Sequence, residues 1–344
     1  MRRTTNEAAT ALTALALAAG LSSCTPSYRR CPNPEWLGSA ASPITERRAL
    51  SATGLYKDVR RGELEDGVVA YRPRFELWSD GAVKRRWIRL PPGETIDARD
   101  MDAWQFPQGT KIWKEFARDG VRAETRLLEK IGPAEGDWLA VGYLWNADGS
   151  DAIAAPEGAT DVLGTTHDIP PSRDCMGCHL GNPGRVLGFS AIQLAHAAPD
   201  DEWSLARLER EGRLRGSPGP VPEIPGDERT RSVLGYLHAN CGSCHNQHRA
   251  PEQGGRCYNP RREVDLSLRV GELGSVEATA LFRTAMGKSV VPGDPEASSL
   301  YKRSRGDLHF FQARMPSLGS EILDPTLLPL LDEWIRALPK PASN

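Results

Sequence analysis

The sequence has no apolar run approaching the roughly 20 residues that a membrane-spanning helix needs, so no segment of it reads as transmembrane. Neither charge is in surplus: 43 Lys and Arg stand against 45 Asp and Glu, a formal net charge of −2. A nucleic-acid binder would show a basic excess or stripe, and that class is excluded. Lysine is scarce, at 8 residues against 35 Arg. The arginines are scattered rather than clustered, so they reflect composition and not a binding stripe. No repeat of the solenoid kind is present. Cysteine is sparse and odd in number, seven in 344 residues, so the placement of each one matters more than the count.

What is present points to folded, turn-rich structure. Hydrophobic residues make up 39% of the chain, with nine Trp, seven Phe and seven Tyr, which excludes a mostly disordered protein. The length suggests about two domains, and 33 Gly with 27 Pro imply many turns. Residues 1–23 have the design of a signal peptide: Arg2 and Arg3, then an Ala/Leu-rich stretch from Ala8 to Leu21, then Ser22-Ser23 before Cys24. The Cys at the cut resembles the lipobox of bacterial lipoproteins. That resemblance implies lipidation of Cys24, anchoring without spanning. Thr25 in place of Asp implies the outer membrane. The alternative is an ordinary cleaved signal with a chance Cys.

Residues 24–44, rich in Pro, Ser, Gly and Arg, read as a tether. Strand-like aromatic and β-branched runs follow at Phe75–Trp78, Arg86–Leu90, Lys111–Phe116 and Trp138–Trp145. Pro91-Pro92-Gly93, Gln108-Gly109, Asp119-Gly120 and Asp148-Gly149 punctuate them. Trp113 and Phe116 break strict alternation, which implies a bulge or a strand buried on both faces. Asp201–Leu214 has helical spacing through Trp203, Leu205 and Leu208. Four prolines between Gly216 and Gly226 forbid helix there. Asp227–Asn240 reads as a helix with an acidic first turn. Asp324–Leu338 reads as another, with Pro325 at its first position.

Two copies of one motif carry the chemistry: Cys175-Met-Gly-Cys178-His179 and Cys241-Gly-Ser-Cys244-His245. C-x-x-C-H is the attachment signal of c-type haem. Two thiols three positions apart reach the two vinyl groups of one porphyrin, and the adjacent His falls under the iron as a ligand. Three alternatives stand beside this reading. Two C-x-x-C pairs could make a four-thiolate zinc site, which needs neither His. A thioredoxin-like pair would need a βαβ context, which is absent around both motifs. Structural disulfides suit an exported chain, although so short a loop contributes little closure entropy. Two covalently bound haem c groups are therefore expected, on Cys175, Cys178, Cys241 and Cys244, with His179 and His245 as iron ligands.

Around the second motif, the order of helix, C-x-x-C-H, Met315-Pro316 and closing helix resembles the class I cytochromes c, as does Val291–Tyr301. The resemblance implies Met315 as the second ligand of that iron; a thioether opposite a His raises the potential and suits electron transfer. Met286 is the competitor, and His238, one turn before the motif, reads as a packing or exposed residue. For the first motif, His196 and His167 are the candidate ligands opposite His179, with Met101 behind them. Pro107–Phe116, Gly136–Trp145 and the first motif faintly resemble β-sheet c-type cytochromes. These include the hydroxylamine-oxidising kind and the β form of cytochrome c prime, in which a sheet cups a haem with an open distal side. Trp113, Trp138 and Trp145 would then wall a pocket or form β-domain core, and Lys114 is a polar group near it.

Over most of its length the chain resembles an uncharacterised family of bacterial dihaem c-type cytochrome lipoproteins. Phe75–Ala82, Trp104–Thr110, Glu124–Leu128, Ile169–Ser172 and both motifs carry the likeness. The expected fold is α+β: a signal peptide over 1–23, a tether over 24–44 and a β-rich domain over 45–200 that ends in the first motif. A helix and linker over 201–226 then lead to a cytochrome c-like helical domain over 227–344. The expected function is electron transfer between periplasmic redox partner proteins by a lipoprotein held at the outer membrane, with no nucleic-acid partner. The alternative is a dihaem oxidoreductase with an open catalytic haem at the first motif. Dihaem peroxidases divide labour so, but on a helical domain. Cys31 and Cys257, the remaining cysteines, could pair in such a compartment.

Overall fold

Alternating side chains and turn chemistry build the largest element, a seven-stranded sheet. Its strands are β1 (Val69–Tyr71), β2 (Val83–Arg89), β3 (Lys111–Arg118), β4 (Val121–Lys130), β5 (Trp138–Trp145), β6 (Ala152–Ala154) and β7 (Glu202–Trp203). Their order is β7-β1-β2-β3-β4-β5-β6. β7 runs parallel to β1, and the other neighbours are antiparallel. The computed structural model describes residues 48–217, 219–221, 223–248, 264–307, 314–316 and 319–340. The expected signal and tether, with Cys24, Cys31 and Cys257, lie outside the described residues.

β3 and β4 are joined at Asp119-Gly120, with φ of 51° and 80°, the left-handed turn whose twist matches that of the strands. Trp113 and Phe116 are both fully buried and lie on opposite faces of β3, and the register with β4 shifts after Phe116. Both expected explanations of the broken alternation therefore hold. One face of the sheet packs Trp87, Trp113, Leu127, Val141, Tyr143 and Trp145 against Leu50, Leu55 and Tyr56. The other packs Ile88, Ile112, Leu128 and Ala140 against Trp104, Phe106, Phe189 and the first motif.

Among the described residues the α-helices are α1 (Met176–His179), α2 (Ala191–Leu194), α3 (Leu205–Arg210), α4 (Glu228–Asn240), α5 (Ala280–Ala285), α6 (Ser299–Arg305) and α7 (Leu327–Ala337). α4 matches its expected span, with the Asp227 side chain accepting from the Thr230 amide at 2.8 Å. Val233, Leu234, Leu237, Leu281, Leu331, Trp334 and Ile335 form its core with α5 and α7. The molecule is thus α+β, a largely antiparallel sheet with several helices. Among the described residues no helix is long and apolar enough to cross a membrane.

Three expected elements differ. Phe75–Trp78 is irregular rather than a strand, because its groups face the helices. The Phe75 amide donates to Gln193, and the Trp78 amide to Asn240 Oδ1 at 2.7 Å. The Phe75 ring occupies the space that a Cβ on Gly235 of α4 would need. Asp201–Leu214 is helical only over α3, since Trp203 pairs with Tyr71 and Leu214 with Ile96. Burying Trp203 at the sheet edge overrides the local helical spacing. α7 begins at Leu327, after Asp324 Oδ1 has accepted from the Thr326 amide and hydroxyl.

Candidate functional site

Both motifs fold as a single helical turn. In the first, the amides of Cys178 and His179 donate to the Cys175 carbonyl, each at 3.2 Å. In the second, those of Cys244 and His245 donate to the Cys241 carbonyl at 3.0 and 2.8 Å. Positions i, i+3 and i+4 share one side of a turn, so each motif turns two sulfurs and one imidazole the same way. Cys175, Cys178, Cys241 and Cys244 stand as thiols in this structure. Among the described residues no three His, Cys, Asp or Glu side chains converge as a metal-ion site, so the four thiols form no tetrahedral zinc cage. A haem iron draws only one or two ligands from the protein and needs no such cluster.

The first motif follows a turn at Ser172–Asp174 and rests on the sheet. Met176 and Leu180 are buried in the core shared with Ile112 and Leu128, and Cys175 packs against it. The His179 Nδ1 lies 2.6 Å from the Arg185 carbonyl. A carbonyl only accepts, so Nδ1 carries the proton and the Nε2 lone pair is the one turned elsewhere. Burial pushes the imidazole pKa down to about 4, which keeps the ring neutral. A neutral, hydrogen-bonded imidazole is what iron ligation requires. The acceptor is held by an unusual backbone: Gly184 and Arg185 both have positive φ, 74° and 66°. A Cβ on Gly184 would stand 2.2 Å from the Trp104 carbonyl oxygen, so only glycine fits. Burial also pushes the Cys175 thiol up to about 11.

The second motif leaves the end of α4, with the Cys241 amide donating to Leu237 at 2.9 Å. Cys241 packs on the helical core, and burial pushes its thiol up to about 12. Gly242 lies where a Cβ would stand 2.6 Å from the His238 carbonyl. His238 is not exposed as sequence allowed: its Nδ1 accepts from the Leu268 amide at 3.0 Å, and burial lowers its pKa to about 4.

The two motifs meet. A Cβ on Gly181, two residues past His179, would lie 2.0 Å from the Ser243 carbonyl oxygen inside the second motif. Asn246, the residue after His245, is buried and stitches the contact. Its Nδ2 donates to the carbonyls of Gly181 at 2.8 Å and Gly242 at 2.6 Å, with Ser243 at 3.2 Å. Neither Gly181 nor Asn246 was singled out in the sequence. Their only signal was adjacency to a motif, and the pairing of segments 65 positions apart has no sequence signature.

A cleft opens beside this contact, lined among others by Arg86, Met101, Lys114, Asn182, His238 and Asn246. The other candidates are placed as follows. His196 has both ring nitrogens 2.8 Å from backbone carbonyl oxygens, those of Ala197 and Arg72, so each nitrogen is already turned to a protein atom. His167 is buried, with Nε2 2.8 Å from Glu124 Oε2. Met101 is buried and reaches the cleft. Met315 is half-buried, its amide donating to the Arg303 carbonyl at 3.0 Å, while Met286 packs on the core that holds Cys241. Trp113 and Trp145 are core of the far sheet face, their indole nitrogens bonded to Thr53 and Thr125. Trp138 is core beside the first motif. The chain matches no protein-family model, no curated protein and no solved structure.

Proposed function

We propose that the chain is a dihaem c-type cytochrome, anchored by lipid on Cys24 at the outer membrane, that passes electrons between periplasmic redox proteins. The observation that carries the reading is the 2.6 Å contact from His179, at the end of a thiol-bearing helical turn, to the Arg185 carbonyl. It fixes the tautomer that leaves Nε2 for iron, which the zinc and disulfide alternatives do not need. The residues fit the group: Cys175 and Cys178 would hold one haem with His179, and Cys241 and Cys244 the other with His245. Haem would supply one-electron exchange. The chain's own part is to fix each imidazole, to exclude water with the buried cores, and to hold the two motifs in contact through Gly181 and Asn246. The packing of α7 against α4 and α6 supports a class I cytochrome c-like arrangement of the helical part, with Met315 as second ligand there.

The test is the intact mass of protein matured with the c-type haem machinery. Two haems should survive denaturation, and Cys175→Ala with Cys178→Ala should remove one of them. A denatured mass without haem sinks the reading. In the two-haem protein, Met315→Ala should abolish the long-wavelength Met–Fe(III) band and Met286→Ala should not. A second reading, an open reactive haem at the first motif, is favoured by His196 and His167 being held by other partners and by the cleft close by. Carbon monoxide should then bind one haem of the reduced protein; if it binds neither, electron transfer alone stands.

A further inference from the structure

The sheet face that carries the first motif changes character along the strands. Its apolar end is the row of Ile88, Ile112, Leu128 and Ala140, on which Met176 and Leu180 pack. The next row on the same face is Arg86, Lys114, Arg126 and Gly142. Three cations therefore stand directly opposite one another across β2, β3 and β4. Like charges at directly paired positions destabilise a sheet, and more so away from water.

The carboxylates nearby are already engaged. Glu124, fully buried, takes Arg126 through two hydrogen bonds of 2.7 and 2.8 Å and also takes His167. Glu76 is shared, at 3.5 Å from Arg86 and 3.9 Å from Lys84. Among the described residues Lys114 has neither an ion pair nor a hydrogen-bond acceptor, and its amine lies 4.8 Å from the Phe116 ring centroid. Arg86 is only 5% exposed, yet both it and Lys114 line the cleft beside Gly181 and Asn182 of the first motif segment. Burial first, and then the charges of Arg86, Arg126 and Lys84, hold the Lys114 ammonium well below the ordinary lysine range.

We propose that Arg86 and Lys114 form a binding site for a carboxylate or small oxyanion in this cleft. The anion is either a propionate of the haem held at the first motif or a small diffusible anion. An anion there relieves the row of like charges and gives Lys114 its missing acceptor. The propionate source rests on the dihaem reading; the diffusible source does not.

The test uses the holoprotein, wild type, Lys114→Gln and Arg86→Gln, each first shown by mass to carry two haems. Lys114→Gln keeps the test valid if Arg86→Gln fails to fold, because Lys114 makes no ion pair among the described residues. One arm titrates acetate and inorganic phosphate against the visible spectrum and the melting temperature. A saturable effect in wild type that weakens at least tenfold in the variants assigns a diffusible anion. The other arm measures the midpoint potential of the first haem. If wild type ignores added anions while both variants lower that potential, the anion is a propionate, since removing a cation favours the ferric state. If neither the anions nor the substitutions change anything, the site does not exist. A protein that carries no haem but still responds to phosphate through Lys114 overturns the dihaem reading and leaves the anion site standing.

Discussion

A single backbone carbonyl fixes the His179 imidazole of the first motif. Arg185 turns its oxygen to His179 only because Gly184 and Arg185 adopt left-handed conformations. The left-handed region costs a residue with a Cβ roughly 1–2 kcal/mol, and a Cβ at Gly184 also meets the Trp104 carbonyl at 2.2 Å. Gly184→Ala should therefore lower stability by more than about 1 kcal/mol and, on the proposed dihaem reading, disturb the ligation of the haem at His179 while leaving the other spectrally intact. Gly164 is the control: its φ is also positive, at 72°, but nothing lies within 4 Å of its Cβ position. Gly164→Ala should show the backbone cost alone. Urea midpoints with visible spectra read both variants, and equal effects from the two would remove the special role given to the Arg185 carbonyl.

At the scale of elements, what sequence could show depended on whether a signal was local. β3 and β5 were legible because aromatic and β-branched runs ended in turn residues, and α4 because Asp227 caps a periodic run. β4 was not singled out as a strand: Arg122, Glu124, Arg126, Glu129 and Lys130 hide its alternation. Glu124 and Glu129 are nonetheless buried, their charges met by neighbours that only the sheet assembles. Phe75–Trp78 failed in the opposite way. Its aromatic pattern resembled a strand, but its partners are Gln193, Gly235 and Asn240, far along the chain. The motif residues were legible from spacing alone. Their supports, Arg185, Gly181 and Asn246, depend on backbone angles and long-range packing that spacing does not encode. The cationic row is likewise a matter of register, since Arg86, Lys114 and Arg126 become neighbours only when three strands pair.

The whole molecule raises two questions, where it is held and how its halves communicate. On the anchor, the expected lipid on Cys24 lies outside the described residues and is tested in cells. Buried acyl chains contribute about 0.8 kcal/mol per CH2, so Cys24→Ala should move the protein from the membrane to the soluble fraction. A variant that stays with the membrane would mean a different anchor.

The two motif segments are joined through Asn246. The first motif belongs to the sheet and the second to the helices, and Asn246 binds carbonyls of both. Two unit charges about 10 Å apart at an effective dielectric of about 20 interact by about 1.7 kcal/mol. If the chain carries the proposed haems, groups held by these touching segments should feel each other's oxidation, and the potentiometric titration of the wild type should be spread by that interaction. Asn246→Ala removes a donor from three carbonyls at a cost of about 1–3 kcal/mol for each polar group left buried and unpaired. With that pin gone, Gly181 and Ser243 separate, while the four thiols and both imidazoles remain. The variant should keep two haems by mass, unfold earlier, and titrate closer to two independent centres. A destabilised variant whose titration overlays that of the wild type would limit Asn246 to holding the fold and would leave the coupling of the two centres to some other contact.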